Sequence, residues 1–137
     1  MKNMTTKGQW SGKNPFQESM QLDAQNQYVS VITRATIRLK MLRTFWKSVP
    51  DSQRSLYGNK GLLFSKGIGE APLLQMATFS LWKDKESLMN FAYRSKEHQQ
   101  AIQKTKQLDW YKEELFARFQ PYKSIGSWEG KNPLPDL

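Results

Sequence analysis

Residues Tyr28–Leu39, YVSVITRATIRL, alternate between two kinds of side chain. Val29, Val31, Thr33, Ala35, Ile37 and Leu39 fall on one side, and Ser30, Ile32, Arg34, Thr36 and Arg38 on the other. A period of two predicts a β-strand with one apolar face. The period then lengthens: Leu42, Phe45, Trp46 and Val49 recur at helical spacing until Pro50, which has no N–H to continue the ladder. Asp51 and Ser52 can cap a further short turn to Tyr57, broken by Gly58-Asn59. Gly61–Lys66 predicts a short strand, and Gly67–Pro72 a turn whose glycines supply positive φ. Leu73–Trp82 is then the returning strand of a hairpin. Asp84 is placed to cap a second helix, on which Leu88, Phe91, Ala92, Ser95, His98, Ile102 and Thr105 share one side. Leu115–Trp128 predicts a last strand, with Pro121 marking an edge position or a bulge.

The order strand, helix, strand, strand, helix, strand is the ferredoxin-like βαββαβ arrangement of the α+β class. Right-handed crossovers put both helices on one face of a four-stranded antiparallel sheet. The other face is half apolar and invites a second copy, so a dimeric α/β barrel and a homodimer are expected. This domain covers residues 28–129. Residues 1–27 are a polar arm without a sustained period, expected to be a mobile tail, in which the isolated Trp10 and Phe16 could instead dock on a groove of the same or a partner subunit, and residues 130–137 are a tail.

Composition narrows the function classes. A chain of 137 residues with 38% hydrophobic and 24% charged residues fits one domain with one core. No run approaches a membrane span, no secretory signal pattern opens the chain, and the absence of cysteine leaves no disulfide or thiolate site, so a cytoplasmic protein is expected. The net charge of +9 raises the question of nucleic acid, but the basic residues are dispersed and no nucleic-acid-binding motif accompanies them. Local basic clusters remain suited to an anionic group on a small ligand.

His98 is the only imidazole, so any histidine chemistry in a subunit uses it. On an apolar helix face it is either a hydrogen-bonded core residue, the commoner case, or an axial haem ligand. One histidine and no cysteine disfavour zinc or non-haem iron. Arg34 and Arg38 share a strand face and are either surface charge or anchors for an anionic group such as a haem propionate; Arg94 is a weaker candidate. The Gly67-x-Gly69 turn lacks the third glycine and following helix of a phosphate cradle. Glu113 and Glu114 point to opposite strand faces and form no acid–base pair.

The segments Val31–Arg38, Phe45-Trp46, Val49-Pro50, Gly67–Pro72, Ala77–Trp82, Phe91–Arg94 with His98, and Trp110–Phe119 occur in an order that resembles the spheroidene monooxygenase family. The resemblance runs from about Tyr28 to Trp128. It implies the fold of dimeric α/β barrels and oxygen insertion into an apolar, carotenoid-like substrate. It also implies haem, with His98 as axial ligand and catalytic centre. Arg34, Arg38 and Arg94 would then hold anionic groups, and Phe79, Trp82 and Phe91 would bound a substrate pocket. Electrons would come from an external donor, since the chain is too small to contain a reductase. A non-enzymatic ligand-binding or structural dimer, with His98 merely packed, is the competing reading.

Overall fold

The computed structural model describes residues 1–47, 56, 58–71, 73–94 and 96–137, with the backbone alone at positions 70, 71, 94, 96–98 and 101. The expected end of the first helix at Val49-Pro50 and the cap at Asp51-Ser52 lie outside the described residues. Strands are β1 (Lys2–Gly8), β2 (Val29–Ile37), β3 (Leu62–Ala71), β4 (Gln75–Trp82) and β5 (Tyr111–Gln120). A 3-10 turn, Leu39–Met41, leads into helix α1, described over residues 42–47; α2 is Lys85–Arg94 and α3 is Lys96–Leu108. The sheet is antiparallel in the order β1-β5-β2-β4-β3.

The α+β ferredoxin-like class holds, and the fold is that of the dimeric α/β barrels, but the sheet has a fifth strand. It comes from the arm. Lys2–Gly8, KNMTTKG, carries no apolar alternation, yet its backbone pairs with β5 from Lys2 opposite Gln120 to Gly8 opposite Leu115. An edge strand is held mainly by its ladder, so a polar sequence suffices.

The β2 alternation divides the core in two. Val29 and Val31 face the helices with Trp82, Leu88 and Phe91. Ile37 faces α1 through Phe45 and Trp110. The opposite face carries Ile32, which packs with Leu115, Ala117 and Phe119. That outer face is not open as the alternation alone suggests. Trp10 and Phe16 of the arm cover it at one side, Phe16 standing edge-on to Phe119 at 4.9 Å. Trp128 covers it at the other side, 5.5 Å from Phe64, and Leu134 of the tail is buried.

Three element boundaries also differ. Strand β3 runs through Gly67 and Gly69 in extended backbone, and the left-handed position of the hairpin is Leu73, at φ 67°. The second helix is described as two segments, α2 and α3, on either side of position 95. Strand β5 begins at Tyr111 and ends at Gln120, so Pro121 terminates it instead of bulging it.

Gly8 and Gly67 separate the two uses of glycine. Gly8 has φ 87°, and a Cβ there would collide with the Glu114 carbonyl oxygen, whereas a Cβ at Gly67 meets nothing within 4 Å. We therefore expect Gly8→Ala to cost about 1–3 kcal/mol. Gly67→Ala should change stability by less than about 1 kcal/mol. Urea-unfolding midpoints of the two variants measure the difference.

Candidate functional site

On the helix side, Asp84 sets the entry of α2: its Oδ1 accepts the Ser87 N–H at 2.7 Å. The Ser87 amide and hydroxyl hold the Asp84 carboxyl below the ordinary aspartate value. The cap directs Leu88 and Phe91 onto Trp82, which is 1% exposed. The Trp82 and Phe91 rings lie 5.3 Å apart, and Trp82 Nε1 donates to Ser80 Oγ at 2.9 Å. These two residues form packed core. His98 stands in α3 and Arg94 at the end of α2; their side chains lie outside the described residues. At the far end of α3, Thr105 hydrogen-bonds Tyr111, which opposes the rise that burial imposes on the Tyr111 phenol.

Phe79 does not join Trp82 and Phe91. It lies on the outer face opposite Ile32, 6.1 Å from Phe64, beside a hollow of about 200 Å³ under residues 124–128. The strand period explains the correction, since positions 79 and 82 differ by an odd number.

Arg34 and Arg38 do not converge either. Arg34 is 3% exposed on the outer face, where its Nη1 donates to Glu113 Oε1 at 3.1 Å and its guanidinium lies 4.7 Å from the centre of the Trp10 ring. Glu113 also accepts the Ser11 amide at 2.9 Å and the Gly12 amide at 2.7 Å. The amides of Gly12 and Ser11, and then Arg34, hold the Glu113 carboxyl below the ordinary glutamate value. Arg38, beyond a register shift at Thr36/Ile37, pairs with Asp109 at 3.1 Å and lines a groove of about 570 Å³. Thr36, Ile37, Leu39, Lys40, Leu74, Gln75 and Lys112 line the rest of it.

Beneath α1 the Trp110 ring stands edge-on to Phe45 at 5.5 Å, and its buried Nε1 has no hydrogen-bond partner among the described residues. Arg118 Nε is likewise buried without a partner among them, its guanidinium 5.8 Å from the centre of the Phe116 ring. Among the described residues no cluster of three or more His, Cys, Asp or Glu could hold a metal ion. Nor is any described helix long and apolar enough to cross a membrane. Sequence reading missed Glu113 as the partner of Arg34 and Trp10 as the ring laid over that guanidinium, and missed Lys40, Lys112 and Trp110 as candidate site residues. Only the dispersed positive charge hinted at the two lysines.

Residues 23–119 match the family described as Domain of unknown function (DUF3291). The spheroidene monooxygenase of Cereibacter sphaeroides is 38% identical over 128 residues, which are 93% of this chain and 39% of that protein. The spheroidene monooxygenase of Rhodobacter capsulatus is 36% identical over 132 residues, 96% of this chain and 55% of that protein. The chain thus spans about half or less of these relatives. Among solved structures, SnoaB, a cofactor-independent oxygenase from Streptomyces nogalater, superposes with a TM-score of 0.59 at 10% identity. That match covers 74% of this chain and 99% of SnoaB.

The Glu113 contacts make closure of the arm depend on pH. Because the folded carboxyl titrates below its unfolded counterpart, its contribution is complete above the ordinary glutamate value of about 4.3 and is lost as pH falls below it. The protection factors of residues 9–16 against hydrogen exchange should fall on acidification through that range. In Glu113→Gln they should already be low at neutral pH and should lose that pH dependence.

Proposed function

We propose, for a chain that belongs to the DUF3291 family, a monooxygenase that inserts oxygen into an apolar, carotenoid-like substrate. The observation that carries this reading is the agreement, along nearly the whole chain, with two relatives that are both named spheroidene monooxygenase. One oxygen atom would enter the substrate and the other would leave as water. Two electrons from an external donor and two protons complete the balance.

His98 is the proposed axial ligand and catalytic centre if haem is used, with Arg38 and Arg94 as anchors for its anionic groups. The described side chains do not fit the macrocycle as a set. Arg34 is on the sheet face away from α2 and is engaged by Glu113, and Trp82 packs against Phe91 where a slot would be needed. Oxygenation without a cofactor is a second reading, favoured by Trp110: its buried N–H sits in an apolar interior with no partner among the described residues, and would donate to an oxygen atom of a substrate. A homodimer belongs to the proposal because this fold class pairs its sheets.

Two measurements test the reading. If haem is used, titration followed by visible spectroscopy gives a Soret band that shifts or disappears in His98→Ala. A band that responds equally in both proteins, or appears in neither, removes the axial-ligand assignment. Trp110→Phe deletes an N–H whose burial without a partner costs about 1–3 kcal/mol, which offsets the packing lost with the larger ring, so it should fold within about 2 kcal/mol of the native chain. If that N–H serves the substrate, Trp110→Phe should also consume oxygen more slowly with a carotenoid substrate.

A further inference from the structure

We propose that the end of the sheet where β2, β4 and β5 meet docks on an anionic lipid bilayer. Leu39 and Leu73 would enter the headgroup layer, and Arg38, Lys40 and Lys112 would face lipid phosphates. The inference rests on this surface alone and not on the reaction proposed above.

Leu73 is the first observation. It occupies the left-handed region at φ 67° and is 61% exposed. A bulky side chain there adds strain that glycine or asparagine would avoid, and an exposed leucine returns little to the core. Its place is nevertheless fixed: Trp46 Nε1 donates to the Leu73 carbonyl at 3.1 Å. Leu39, at the start of the 3-10 turn, is 73% exposed. It lines the groove of about 570 Å³ together with Leu74, which adjoins Leu73 in sequence.

Charge is the second observation. Arg38, Lys40 and Lys112 line the same groove. Among the described residues neither lysine has an ion-pair partner, and Arg38 shares its guanidinium with an exposed carboxylate, Asp109. Apolar tips beside cations match a bilayer that is apolar inside and anionic at its surface. A nucleic acid would use the cations and leave the leucines in water.

Sedimentation of the full chain with phosphatidylcholine vesicles, with and without phosphatidylglycerol, tests the proposal. Binding should require phosphatidylglycerol and should weaken with salt. At about fivefold per cation, Lys40→Gln with Lys112→Gln should weaken it about thirtyfold. Leu73→Gly should weaken it about tenfold. It should do so while the thermal midpoint holds or rises, because the strain is relieved; this separates lost docking from lost folding. Lys104→Gln with Lys106→Gln, removing the same charge from α3, should leave binding within about threefold. The proposal falls if the native chain ignores phosphatidylglycerol at low salt, if the α3 pair weakens binding as much as the groove pair, or if Leu73→Gly binds like the native chain. It falls equally if duplex DNA strips the protein from the vesicles while the groove variants bind DNA more weakly.

Discussion

A guanidinium buried in the middle of a sheet sets the terms for everything laid over that sheet. Arg34 stands on the central strand at 3% exposure, where an unpaired charge would be strongly unfavourable. Glu113, one strand away on β5, supplies the counter-charge. Its carboxylate reaches past Arg34 to the amides of Ser11 and Gly12, so the ion pair and the position of the arm form a single arrangement. Trp10 then lies over the guanidinium, and Phe16 reaches Phe119. The arm is ordered because a charge beneath it needs covering, although its own sequence is too polar to fold on apolar burial.

This explains what the amino-acid sequence discloses and what it conceals. The period of two in β2 and the cap at Asp84 are local signals, and both appear in the structure where the residues put them. Strand β1 is not local: KNMTTKG becomes a strand only because β5 offers it a ladder. The β3–β4 hairpin misleads in the opposite direction. Gly67 and Gly69 look like turn residues, but an edge strand tolerates them in extended backbone, and the left-handed position falls to Leu73, which no propensity would select. The candidate site suffers most, since Phe79 and Trp82 are three residues apart yet on opposite faces of the sheet, with Arg34 on the face of Phe79.

The termini also change what the outer face presents to another molecule. Bare, it would offer Ile32, Phe79, Leu81 and Phe119. Covered, it offers Trp10, Phe16 and Trp128, with Lys66 resting 5.0 Å from the centre of the Trp128 ring. A second sheet laid on this face meets those aromatic side chains first. Face-to-face pairing thus requires either packing against the two covers or moving them, and moving the arm strips the Trp10 ring from Arg34 and the Ser11 and Gly12 amides from Glu113.

Several departures from local rules lie at one end of the sheet. Trp46 and Trp110 both pack on Phe45; the first indole reaches the carbonyl of a strained Leu73, and the second has no hydrogen-bond partner among the described residues. Arg38 and Leu39 leave β2 at the same end, through the register shift that brings Ile37 opposite Tyr111. Sequences that fold well satisfy local rules almost everywhere, and exceptions concentrate where a residue serves something besides stability. The interior beneath α1 and the groove outside it are separated by Ile37, which lines the groove and packs on Phe45 and Trp110. An apolar molecule lodged in the groove would therefore touch Ile37, a residue that also packs on Phe45 and Trp110.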